Sequence, residues 1–454
     1  MKDYDVIVIG SGSGAIIANE AASNGLMAAL IDQGPMIGGT CPNWGCIPSK
    51  QLIYTADRLV DIREAEKLGI QTTIENIHFS EIMERMRTSR QRTQEELRQG
   101  LQGNDHLDFY EGRAKFIDDY IIEVNDQELK GNKICIASGA RPFVPPIPGL
   151  DKVDYLTNES VLELKEKPEN LIVIGGGYIA VEFGHFLAAV GTDITMVEMA
   201  DRLVLAEEPE MAEILRNALS QRMKVYTGHS AEEVHQTDSS VSVITKDKNN
   251  GETREFTADN ILVAVGRKSN ADTLQLEKTG VEIDARGFIK TNEYLETTRP
   301  NIYAVGDANG QGMFRHMANR EAILVANNVF YNAGVKIDYT YLPHAVYSYP
   351  QIASVGLTES QAKERYDISV ATTRYFDTAK GEAMLEMEGF AKVITEKDTG
   401  KMLGFHIIGP YAPELIQEVV NAMTSGGGSN EIRHAIHIHP SLSELVQDMI
   451  ANLE

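Results

Sequence analysis

Residues 4–32 decide the fold of this 454-residue chain, and they read YDVIVIGSGSGAIIANEAASNGLMAALID. Tyr4–Ile9 is an apolar run without polar alternation, which is typical of a buried parallel strand. A glycine turn at 10–14 follows, then a predicted alanine-rich helix over Ala15–Asn24 and a predicted strand over Met27–Ile31. This strand–helix–strand order predicts a dinucleotide-binding unit of a doubly wound α/β domain.

The glycine turn fits the phosphate-binding pattern G-x-G-x-x-A. Gly10 permits the tight turn, Gly12 lets the backbone approach a pyrophosphate at the helix N-terminus, and Ala15 allows close helix–strand packing. Asp32 lies 22 residues after Gly10, where an acidic side chain binds a ribose diol. The alternative is a plain strand–helix turn, which needs no glycine at both positions. We therefore predict that the first unit binds a dinucleotide.

A second unit repeats this pattern, with predicted strands at Leu171–Ile174 and Asp193–Val197 around Gly175-Gly-Gly177-Tyr-Ile-Ala180. Glu198 lies 23 residues after Gly175. A carboxylate there accepts bonds from a 2′-hydroxyl and repels a 2′-phosphate by about 4 kcal/mol at 4 Å and an effective dielectric of 20. Glu198 favours NAD over NADP, whereas Ala180 in the third glycine position and Arg202 oppose that choice. Two dinucleotide sites in one chain indicate electron transfer between a flavin and a nicotinamide.

The rest of the chain predicts an α/β fold with two Rossmann-like domains and a C-terminal α+β domain. We expect the first dinucleotide-binding domain over 1–148, the second over 149–268, a further part of the first over 269–339 and a C-terminal α+β domain over 340–454. Further predicted elements are a charged surface helix at Phe79–Gly100, an antiparallel meander at Phe109–Val124, and strands at Lys133–Ala137, Ala391–Thr395 and Leu403–Ile408.

Charge and composition exclude several classes of protein. The chain has 42 Lys and Arg against 66 Asp and Glu, a net charge of −24 that opposes binding to nucleic acids and anionic membranes. No apolar run reaches the roughly 18 residues of a membrane span, and acidic residues before the first apolar run do not resemble a signal peptide. Three cysteines do not indicate a disulfide scaffold, so we expect a cytoplasmic protein.

Two of those cysteines, Cys41 and Cys46, lie close together in TCPNWGCIPSK. If a helix starts near Cys41, the pair can close a disulfide, and a helix N-terminus would favour a thiolate. A zinc half-site or two buried thiols are the alternatives. A zinc site needs about four ligands, and the other cysteine, Cys135, lies in a predicted buried strand. We predict redox use for the pair, no metal site, and a core position for Cys135.

Near the C-terminus, His439 precedes Glu444 by five residues. A histidine with a neighbouring carboxylate can act as an oriented base, but a lone histidine is usually structural. His437 is close enough to be the alternative. The segment Thr298–Asp307 is a turn, a short apolar strand and Gly306-Asp307, which alone could be any strand end.

Taken together, these motifs closely resemble the flavoprotein pyridine nucleotide–disulfide oxidoreductases, which include dihydrolipoyl dehydrogenase and glutathione reductase. The matching segments are GSGSGA, GGTCPNWGCIPSK, ASGARP, GGGYIAVEFG, AVGD, YPQIASVGLTE and HPSLSE, and they span almost the whole chain.

The resemblance implies FAD in the first unit, a nicotinamide nucleotide in the second, and a homodimer formed through the C-terminal domain. By this likeness Asp32 binds the FAD ribose, Asp307 the ribityl chain, and Tyr178 gates the nicotinamide pocket. The implied catalytic residues are Cys41 (interchange), Cys46 (facing the flavin), Lys50 paired with Glu182 near flavin N5, and His439 with Glu444, which serve the partner subunit's disulfide. The implied cofactor-binding residues are Gly10, Gly12, Gly14, Asp32, Gly39, Thr40, Lys50, Ser138, Gly139, Gly175, Gly177, Tyr178, Ile179, Glu198, Gly266, Gly306 and Asp307.

We predict an NAD-dependent oxidoreductase of dihydrolipoyl dehydrogenase type, acting on a small dithiol such as a lipoyl group, which a protein can bear. The alternative is an NAD(P)H-dependent reductase of a low-molecular-weight disulfide of the mycothione or glutathione kind. His316-Met-Ala-Asn-Arg-Glu321 resembles the mycothione reductases, which mostly use NADPH. A third alternative is a catalytically inert dinucleotide-binding subunit. Mercuric reductases of this family have a C-terminal cysteine pair, and no cysteine follows Cys135.

Overall fold

The computed structural model describes residues 1–237, 240–426 and 428–453. Its strands are β1 (Lys2–Ile9), β2 (Ala28–Asp32), β3 (Leu107–Glu111), β4 (Lys115–Asp118), β5 (Ile121–Val124), β6 (Gln127–Ile136), β7 (Ala140–Pro142), β8 (Asn170–Ile174), β9 (Asp193–Glu198), β10 (Lys224–Thr227), β11 (His229–Gln236), β12 (Val241–Asp247), β13 (Thr253–Ala258), β14 (Asn260–Val263), β15 (Arg267–Ser269), β16 (Ile302–Ala304), β17 (His344–Val346), β18 (Ile352–Gly356), β19 (Ile368–Arg374), β20 (Phe390–Glu396) and β21 (Met402–Ile408).

The α-helices are α1 (Gly14–Ser23), α2 (Thr40–Trp44), α3 (Cys46–Glu64), α4 (Phe79–Gly100), α5 (Tyr178–Ala189), α6 (Pro209–Ser220), α7 (Arg315–Tyr331), α8 (Glu359–Lys363), α9 (Ala379–Met384), α10 (Ala412–Thr424), α11 (Ser429–His434) and α12 (Glu444–Ala451). Short 3-10 helices lie at Ala65–Leu68, Leu150–Lys152, Ser160–Glu163, Asn270–Thr273, Leu276–Lys278, Gly306–Ala308 and Tyr375–Asp377. Within the described residues, we find no helix with both the length and the apolar character of a membrane span.

The first sheet confirms the strand–helix–strand order that residues 4–32 predict. Its parallel part has the order β3-β2-β1-β6-β16, with Val6 opposite Ala28 and Ile7 opposite Ile134. Helix α1 packs on this sheet, and Ile17, Ala18 and Ala21 are fully buried. The small side chains of α1 allow the close helix–sheet contact that the glycine turn requires.

The predicted antiparallel meander at Phe109–Val124 is wrong in its first part. Strand β3 pairs parallel with β2, and only β4, β5 and β6 form an antiparallel meander. The long helix α4 between β2 and β3 is the crossover that a parallel pair needs. The apolar–polar alternation of β3 therefore reflects its edge position in a parallel sheet.

The second dinucleotide-binding unit is a four-stranded parallel sheet of order β10-β9-β8-β14. Helix α5 follows β8, and its residues from Ala180 to Ala189 are buried. A separate antiparallel sheet, β11-β12-β13, joins β10 to β14. The carboxyl ends of β8 and β9 place Gly175 and Glu198 at one edge of the parallel sheet, where dinucleotides bind in such folds.

The C-terminal domain is α+β, as predicted. A five-stranded antiparallel sheet has the order β17-β18-β21-β20-β19. Helices α10 and α12 contribute Ile416, Val419, Leu445 and Met449 to its core.

The chain forms two compact units, each assembled from separate segments. The first comprises residues 1–49, 84–143 and 266–339, and the second comprises residues 50–83, 144–265 and 340–454. The first unit includes the first glycine turn and both Cys41 and Cys46. The second includes the second glycine turn, α5 and the five-stranded sheet. The four domain boundaries stated above stay predictions.

Candidate active site

The first glycine turn has the close contacts that its pattern predicts. Gly10 has φ +105°, and a Cβ there would lie 2.2 Å from the carbonyl oxygen of Ala137. A Cβ on Gly14 would lie 2.8 Å from the side chains of Val8 and Ala137. At Gly12 the nearest atom, the Cα of Gly39, would be 3.7 Å from such a Cβ. Gly10 and Gly14 are thus required by packing, whereas a Cβ on Gly12 would make only ordinary van der Waals contacts.

Asp32 ends β2 beside this turn. Its Oδ2 accepts hydrogen bonds from the Ser11 backbone N–H at 2.8 Å and from the Ser11 hydroxyl, and Gly34 N–H donates to Oδ1 at 3.2 Å. The Ser11 hydroxyl in turn accepts the Gly38 N–H at 2.7 Å. These bonds fix the carboxylate at the edge of the turn, the position in which it would hold a ribose.

The segment with the two cysteines is two helices broken at Gly45. Helix α2 includes Cys41, which is half-buried, and α3 begins at Cys46, which is exposed. The buried amide of Asn43 anchors the segment, since its Nδ2 donates to the carbonyls of Ile37 and Gly39, both at 2.8 Å. The N-terminus of a 19-residue helix lies at Cys46, and the helix dipole there favours a thiolate.

Cys135 is a core residue, as predicted. It lies fully buried in β6, and burial raises the pKa of its thiol to about 12. A thiol so strongly protonated is a poor nucleophile at neutral pH.

The second glycine turn repeats the geometry of the first. Gly175 has φ +119°, and a Cβ there would lie 2.4 Å from the carbonyl oxygen of Ala264. A Cβ on Gly176 would lie 2.8 Å from Cγ of Glu198, so the Glu198 side chain packs directly against the turn. Among the described residues, no heavy atom lies within 4 Å of the position that a Cβ on Gly177 would take. Gly177 therefore leaves space at the N-terminus of α5.

Glu198 is held by a local bond, because its Oε1 accepts the Ala200 N–H at 2.6 Å. Arg202, which weakened the NAD prediction, donates from Nη2 to the Leu205 carbonyl at 3.1 Å. Ile179 follows Tyr178 in the first turn of α5 and is half-buried.

Lys50 and Glu182, predicted as a pair, are in contact. Nζ of Lys50 lies 2.7 Å from Oε2 of Glu182 and 4.5 Å from the centre of the Tyr347 ring. The Tyr347 N–H donates to Oε1 of Glu182 at 3.2 Å. Burial raises the pKa of Glu182 above its ordinary value, although Lys50 and the Tyr347 N–H oppose the rise. The side chain of Lys50 is 34% exposed.

His439 and Glu444 are also in contact. Nδ1 of His439 lies 2.7 Å from Oε1 of Glu444, and Ser441 N–H donates to Oε2 at 2.9 Å. The hydrogen bond from the Ser441 N–H, and to a smaller extent the one with His439, hold the pKa of Glu444 below its ordinary value. The His439 side chain is 71% exposed, whereas the alternative, His437, is 5% exposed and lies 2.7 Å from Glu418. Nε2 of His439 can therefore face a substrate.

Residues 4–322 match the family description "Pyridine nucleotide-disulphide oxidoreductase", and residues 342–450 match the dimerisation domain of the same family. The chain belongs to the pyridine nucleotide-disulphide oxidoreductases. Members of this family bind FAD and use a nicotinamide nucleotide, so the chain is an FAD-dependent oxidoreductase. This family assignment confirms the resemblance and the predicted fold class.

Several relatives match over most of the chain. A mercuric reductase of Staphylococcus aureus is 37% identical over 93% of this chain and 78% of its own length. A mycothione reductase of Mycobacterium tuberculosis is 34% identical over the full length of both chains. A dihydrolipoyl dehydrogenase of Bacillus subtilis is 31% identical over 98% of this chain and 96% of its own. The solved copper(II) complex of the HOCl-induced flavoprotein disulfide reductase RclA from Escherichia coli superposes with a TM-score of 0.89 at 28% identity, over 100% of both chains.

The first unit fits an FAD molecule. The Ser138 hydroxyl is buried, and the described residues offer it no hydrogen-bond partner, so a ligand atom would satisfy it. The adjacent Gly139 and, further along the chain, Gly266 have positive φ, with no described atom within 4 Å of a Cβ at either position. Gly39, with φ +73°, approaches Gly12 so closely that a Cβ would lie 2.9 Å from its Cα. The first unit therefore offers a ligand an unsatisfied hydroxyl at Ser138 and open space beside the backbone of Gly139 and Gly266.

Sequence reasoning missed the residues that hold Gly306 and Asp307 in this unit. Arg267 donates from Nε to Oδ2 of Asp307 at 3.2 Å, and its Nη2 lies 3.4 Å from the Thr40 hydroxyl. Glu321, fully buried, accepts the Gly306 N–H at 2.5 Å and the Asn309 amide at 3.1 Å. Arg267 directly follows the predicted Gly266, and Glu321 ends the segment from His316. The sequence does not reveal these contacts, because Arg267 lies 40 residues from Asp307 and Glu321 lies 15 residues from Gly306.

Proposed function

We propose that the protein is an NAD-linked dithiol–disulfide oxidoreductase whose substrate is dihydrolipoamide or a close relative. The overall reaction converts the dithiol and NAD⁺ into the disulfide, NADH and one proton. The single observation behind the NAD assignment is the position of Glu198, whose side chain packs against Gly176 in the second glycine turn. A carboxylate there accepts hydrogen bonds from a ribose diol and repels a 2′-phosphate.

The two cysteines would exchange the electrons of the substrate. One substrate thiolate attacks Sγ of Cys41 in a Cys41–Cys46 disulfide, and the Cys46 thiolate leaves. The second substrate thiolate then attacks the substrate sulfur of the mixed disulfide, which closes the product disulfide and releases the Cys41 thiolate. The N-terminus of α3 at Cys46 stabilises the charge that forms there.

The proton of the attacking thiol requires a base. His439 would take it at Nε2, since Nδ1 faces Glu444 at 2.7 Å and the ring is exposed. Glu444 keeps the ring in one orientation and stabilises the imidazolium. By the family resemblance this histidine serves the disulfide of the partner subunit in a homodimer, and the dimerisation domain at 342–450 supports that arrangement.

FAD, when bound, would supply the two-electron redox chemistry that links the reduced cysteines to NAD⁺. Lys50 would place a positive charge near the flavin, held by Glu182 and by the ring of Tyr347. Asp32 and Asp307 would bind the ribose and ribityl hydroxyls, and Ser138 would donate or accept a further hydrogen bond.

Reduction of a low-molecular-weight disulfide by NADPH is the second candidate. It is favoured by the full-length match to a mycothione reductase and by the segment His316–Glu321. The same cysteines and histidine would then work in the opposite direction. Mercuric reduction is less well supported, because no cysteine lies among residues 136–454.

The two candidates separate in one set of assays. The purified enzyme is assayed with dihydrolipoamide and NAD⁺, and with lipoamide, mycothione and glutathione disulfides, each with NADH and NADPH. We expect the highest kcat/KM for the lipoyl substrate with NAD(H), and Glu198→Arg should move the preference toward NADP(H). A wild-type preference for NADPH with mycothione disulfide would establish the second candidate instead.

A further inference from the structure

Tyr178 opens helix α5 directly after the second glycine turn, and its hydroxyl has a specific partner. The Tyr178 O–H donates to Oε1 of Glu207 at 2.9 Å. The Tyr178 ring also stacks on the ring of His344, with centroids 6.0 Å apart and planes 19° apart. Burial and the charge of Glu207 raise the pKa of Tyr178 above its ordinary value, so the hydroxyl stays a donor.

Glu207 is a charged side chain inside the second unit. It is 1% exposed. Besides the bond from Tyr178, its carboxylate accepts a hydrogen bond from the Ser354 hydroxyl at 2.6 Å and lies 3.0 Å from Nε2 of His344. Burial alone would raise its pKa, but the hydrogen bonds of His344, Ser354 and Tyr178 hold that pKa below its ordinary value. The carboxylate is therefore ionised at neutral pH, and a hydrogen bond to an ionised acceptor is about twice as strong as a neutral one.

The backbone around Glu207 is anchored by the next residue. Oε2 of Glu208 lies 2.8 Å from Nζ of Lys392 in β20, and both side chains are 2% exposed. Glu359 N–H donates to Oε1 of Glu208 at 2.6 Å. The bonds of Glu208 to Lys392 in β20 and of the Glu207 carboxylate to Ser354 in β18 both favour one position of that carboxylate. A rigid acceptor defines one position for a mobile donor.

We propose that Glu207 is a positioning residue that fastens the Tyr178 ring by its hydroxyl in the nucleotide-free enzyme. This proposal rests on the proposed function and on the family resemblance, by which Tyr178 gates the nicotinamide pocket. An entering nicotinamide must displace the ring, so it must break the Tyr178–Glu207 bond. The bond lowers the population of the open ring and so raises the apparent dissociation constant of the nucleotide.

Three variants test the bond. Tyr178→Phe keeps the ring and removes the donor, Glu207→Gln keeps an acceptor without charge, and Ser354→Ala removes a different bond from the same carboxylate. We expect the KM for NADH to fall about five- to tenfold in Tyr178→Phe and less in Glu207→Gln. The rate of flavin reduction by the dithiol should stay within about twofold, because Tyr178 acts on nucleotide entry alone. Ser354→Ala should change the KM for NADH less than Tyr178→Phe does.

The decisive comparison is the double variant. If Glu207 acts through the Tyr178 hydroxyl, adding Glu207→Gln to Tyr178→Phe leaves the KM for NADH unchanged. An equal effect of Glu207→Gln in both backgrounds, or an unchanged or higher KM in Tyr178→Phe, overturns the proposal. If Glu207→Gln does not fold, the other two variants decide. A KM for NADH that falls in Tyr178→Phe and changes less in Ser354→Ala supports the proposal, and any other result overturns it.

Tyr178→Ala separates this proposal from the proposed function. If Tyr178→Ala changes the apparent dissociation constant of NADH in flavin reduction while Tyr178→Phe does not, the ring lies at the nicotinamide site and the role of Glu207 is refuted. If Tyr178→Ala changes neither that constant nor the rate of flavin reduction by NADH, the placement of Tyr178 at the nicotinamide pocket is itself refuted, and the inference with it.

Discussion

At the residue scale, the two glycines that flank Gly176 meet different physical constraints. Gly175 has a left-handed backbone, and a Cβ there would collide with the Ala264 carbonyl at 2.4 Å. Gly177 has φ −79°, which any residue adopts, and a Cβ there would meet no described atom within 4 Å. Packing alone thus explains Gly175 but not Gly177. In the proposed function, the pyrophosphate of the nucleotide would lie in the open space beside Gly177 at the N-terminus of α5.

This contrast predicts opposite results for two alanine substitutions. Gly177→Ala should keep the wild-type unfolding temperature and FAD content, but its Cβ should weaken NADH binding about tenfold or more. Gly175→Ala should lower the unfolding temperature and yield, since both its φ and its contact with Ala264 are strained. Thermal unfolding and nucleotide titration measure the two effects. Unaltered NADH binding in Gly177→Ala would show that no nucleotide approaches this turn.

The two cysteines differ in position, and this difference predicts distinct variants. Cys46 begins α3, whereas Cys41 lies within α2. Both Cys41→Ser and Cys46→Ser should keep FAD and lose dithiol-linked turnover, while reduction of artificial acceptors by NADH should survive in both. Only Cys41→Ser should keep the long-wavelength thiolate–flavin band, because the Cys46 thiolate remains. Near-normal lipoamide turnover in Cys41→Ser would contradict the exchange mechanism, and Cys135→Ser is the matched control.

At the scale of elements, α3 and α5 meet through the ion pair of Lys50 and Glu182. The side chain of Glu182 is 9% exposed, and that of Lys50 is 34% exposed. Burying a carboxylate is costly, and here the cost exceeds the attraction to Lys50, since the pKa of Glu182 is raised. The pair therefore contributes little to folding at neutral pH. We infer that it serves to hold Lys50.

Glu182→Gln tests this inference through the pH dependence of unfolding. A carboxyl whose folded pKa is raised stabilises the fold below its unfolded pKa of about 4.3, and this contribution is lost as the pH rises through the folded pKa. Glutamine does not titrate, so the unfolding temperature of Glu182→Gln relative to wild type should increase from pH 4 to pH 8. Turnover with NAD⁺ should fall, because Lys50 loses its partner.

The matched control for this series is Glu213→Gln on α6, an exposed carboxylate with 66% of its side chain accessible. Its difference in unfolding temperature from wild type should stay flat across the same pH range. A difference for Glu182→Gln that decreases with rising pH would mean that Lys50 stabilises the charged form more than burial destabilises it.

The elements also show which features a sequence can predict. Helix α4 has the predicted bounds Phe79–Gly100, because its charged face and its apolar spacing are both local. The strand β3 was misassigned because alternation does not reveal whether a neighbour runs parallel or antiparallel. Glycine turns and the acidic residues after them were predictable, because their spacing is fixed by the ligand. The partners of Asp307 and of Tyr178 were not, because tertiary folding alone brings Arg267 and Glu207 to them.

At the scale of the whole molecule, the exposed position of His439 is the feature that a single chain leaves unexplained. A base that serves a buried reaction is normally screened from water, yet this ring is 71% exposed while Glu444 beside it is 19% exposed. Ile436 and Ile438, which precede His439 in the same segment, are fully and largely exposed. An apolar, exposed segment around an oriented histidine fits a surface that a second subunit covers. The match of residues 342–450 to a dimerisation domain agrees with this view.

The proposed acid–base role of His439 predicts a large kinetic effect restricted to the thiol reaction. An ordinary thiol is only about 3% ionised at pH 7, so attack on a disulfide gains from a base that takes the proton. His439→Gln should slow dithiol-linked turnover by roughly 10²–10⁴. Reduction of the flavin by NADH should be nearly unchanged. Glu444→Gln should cost less, because the base remains but loses its orientation, and His437→Gln is the matched control.

A shared site between subunits makes a further prediction, because each active centre would combine Cys41 of one chain with His439 of the other. Cys41→Ser and His439→Gln homodimers should both be inactive with the dithiol. When the two are co-expressed with different tags and the heterodimer is purified, one centre has both a wild-type Cys41 and a wild-type His439. Its dithiol turnover should reach up to half of the wild-type value per dimer. A heterodimer of verified composition without activity would place the base within the same chain, and His437, near Glu418 at 2.7 Å, would become the residue to test.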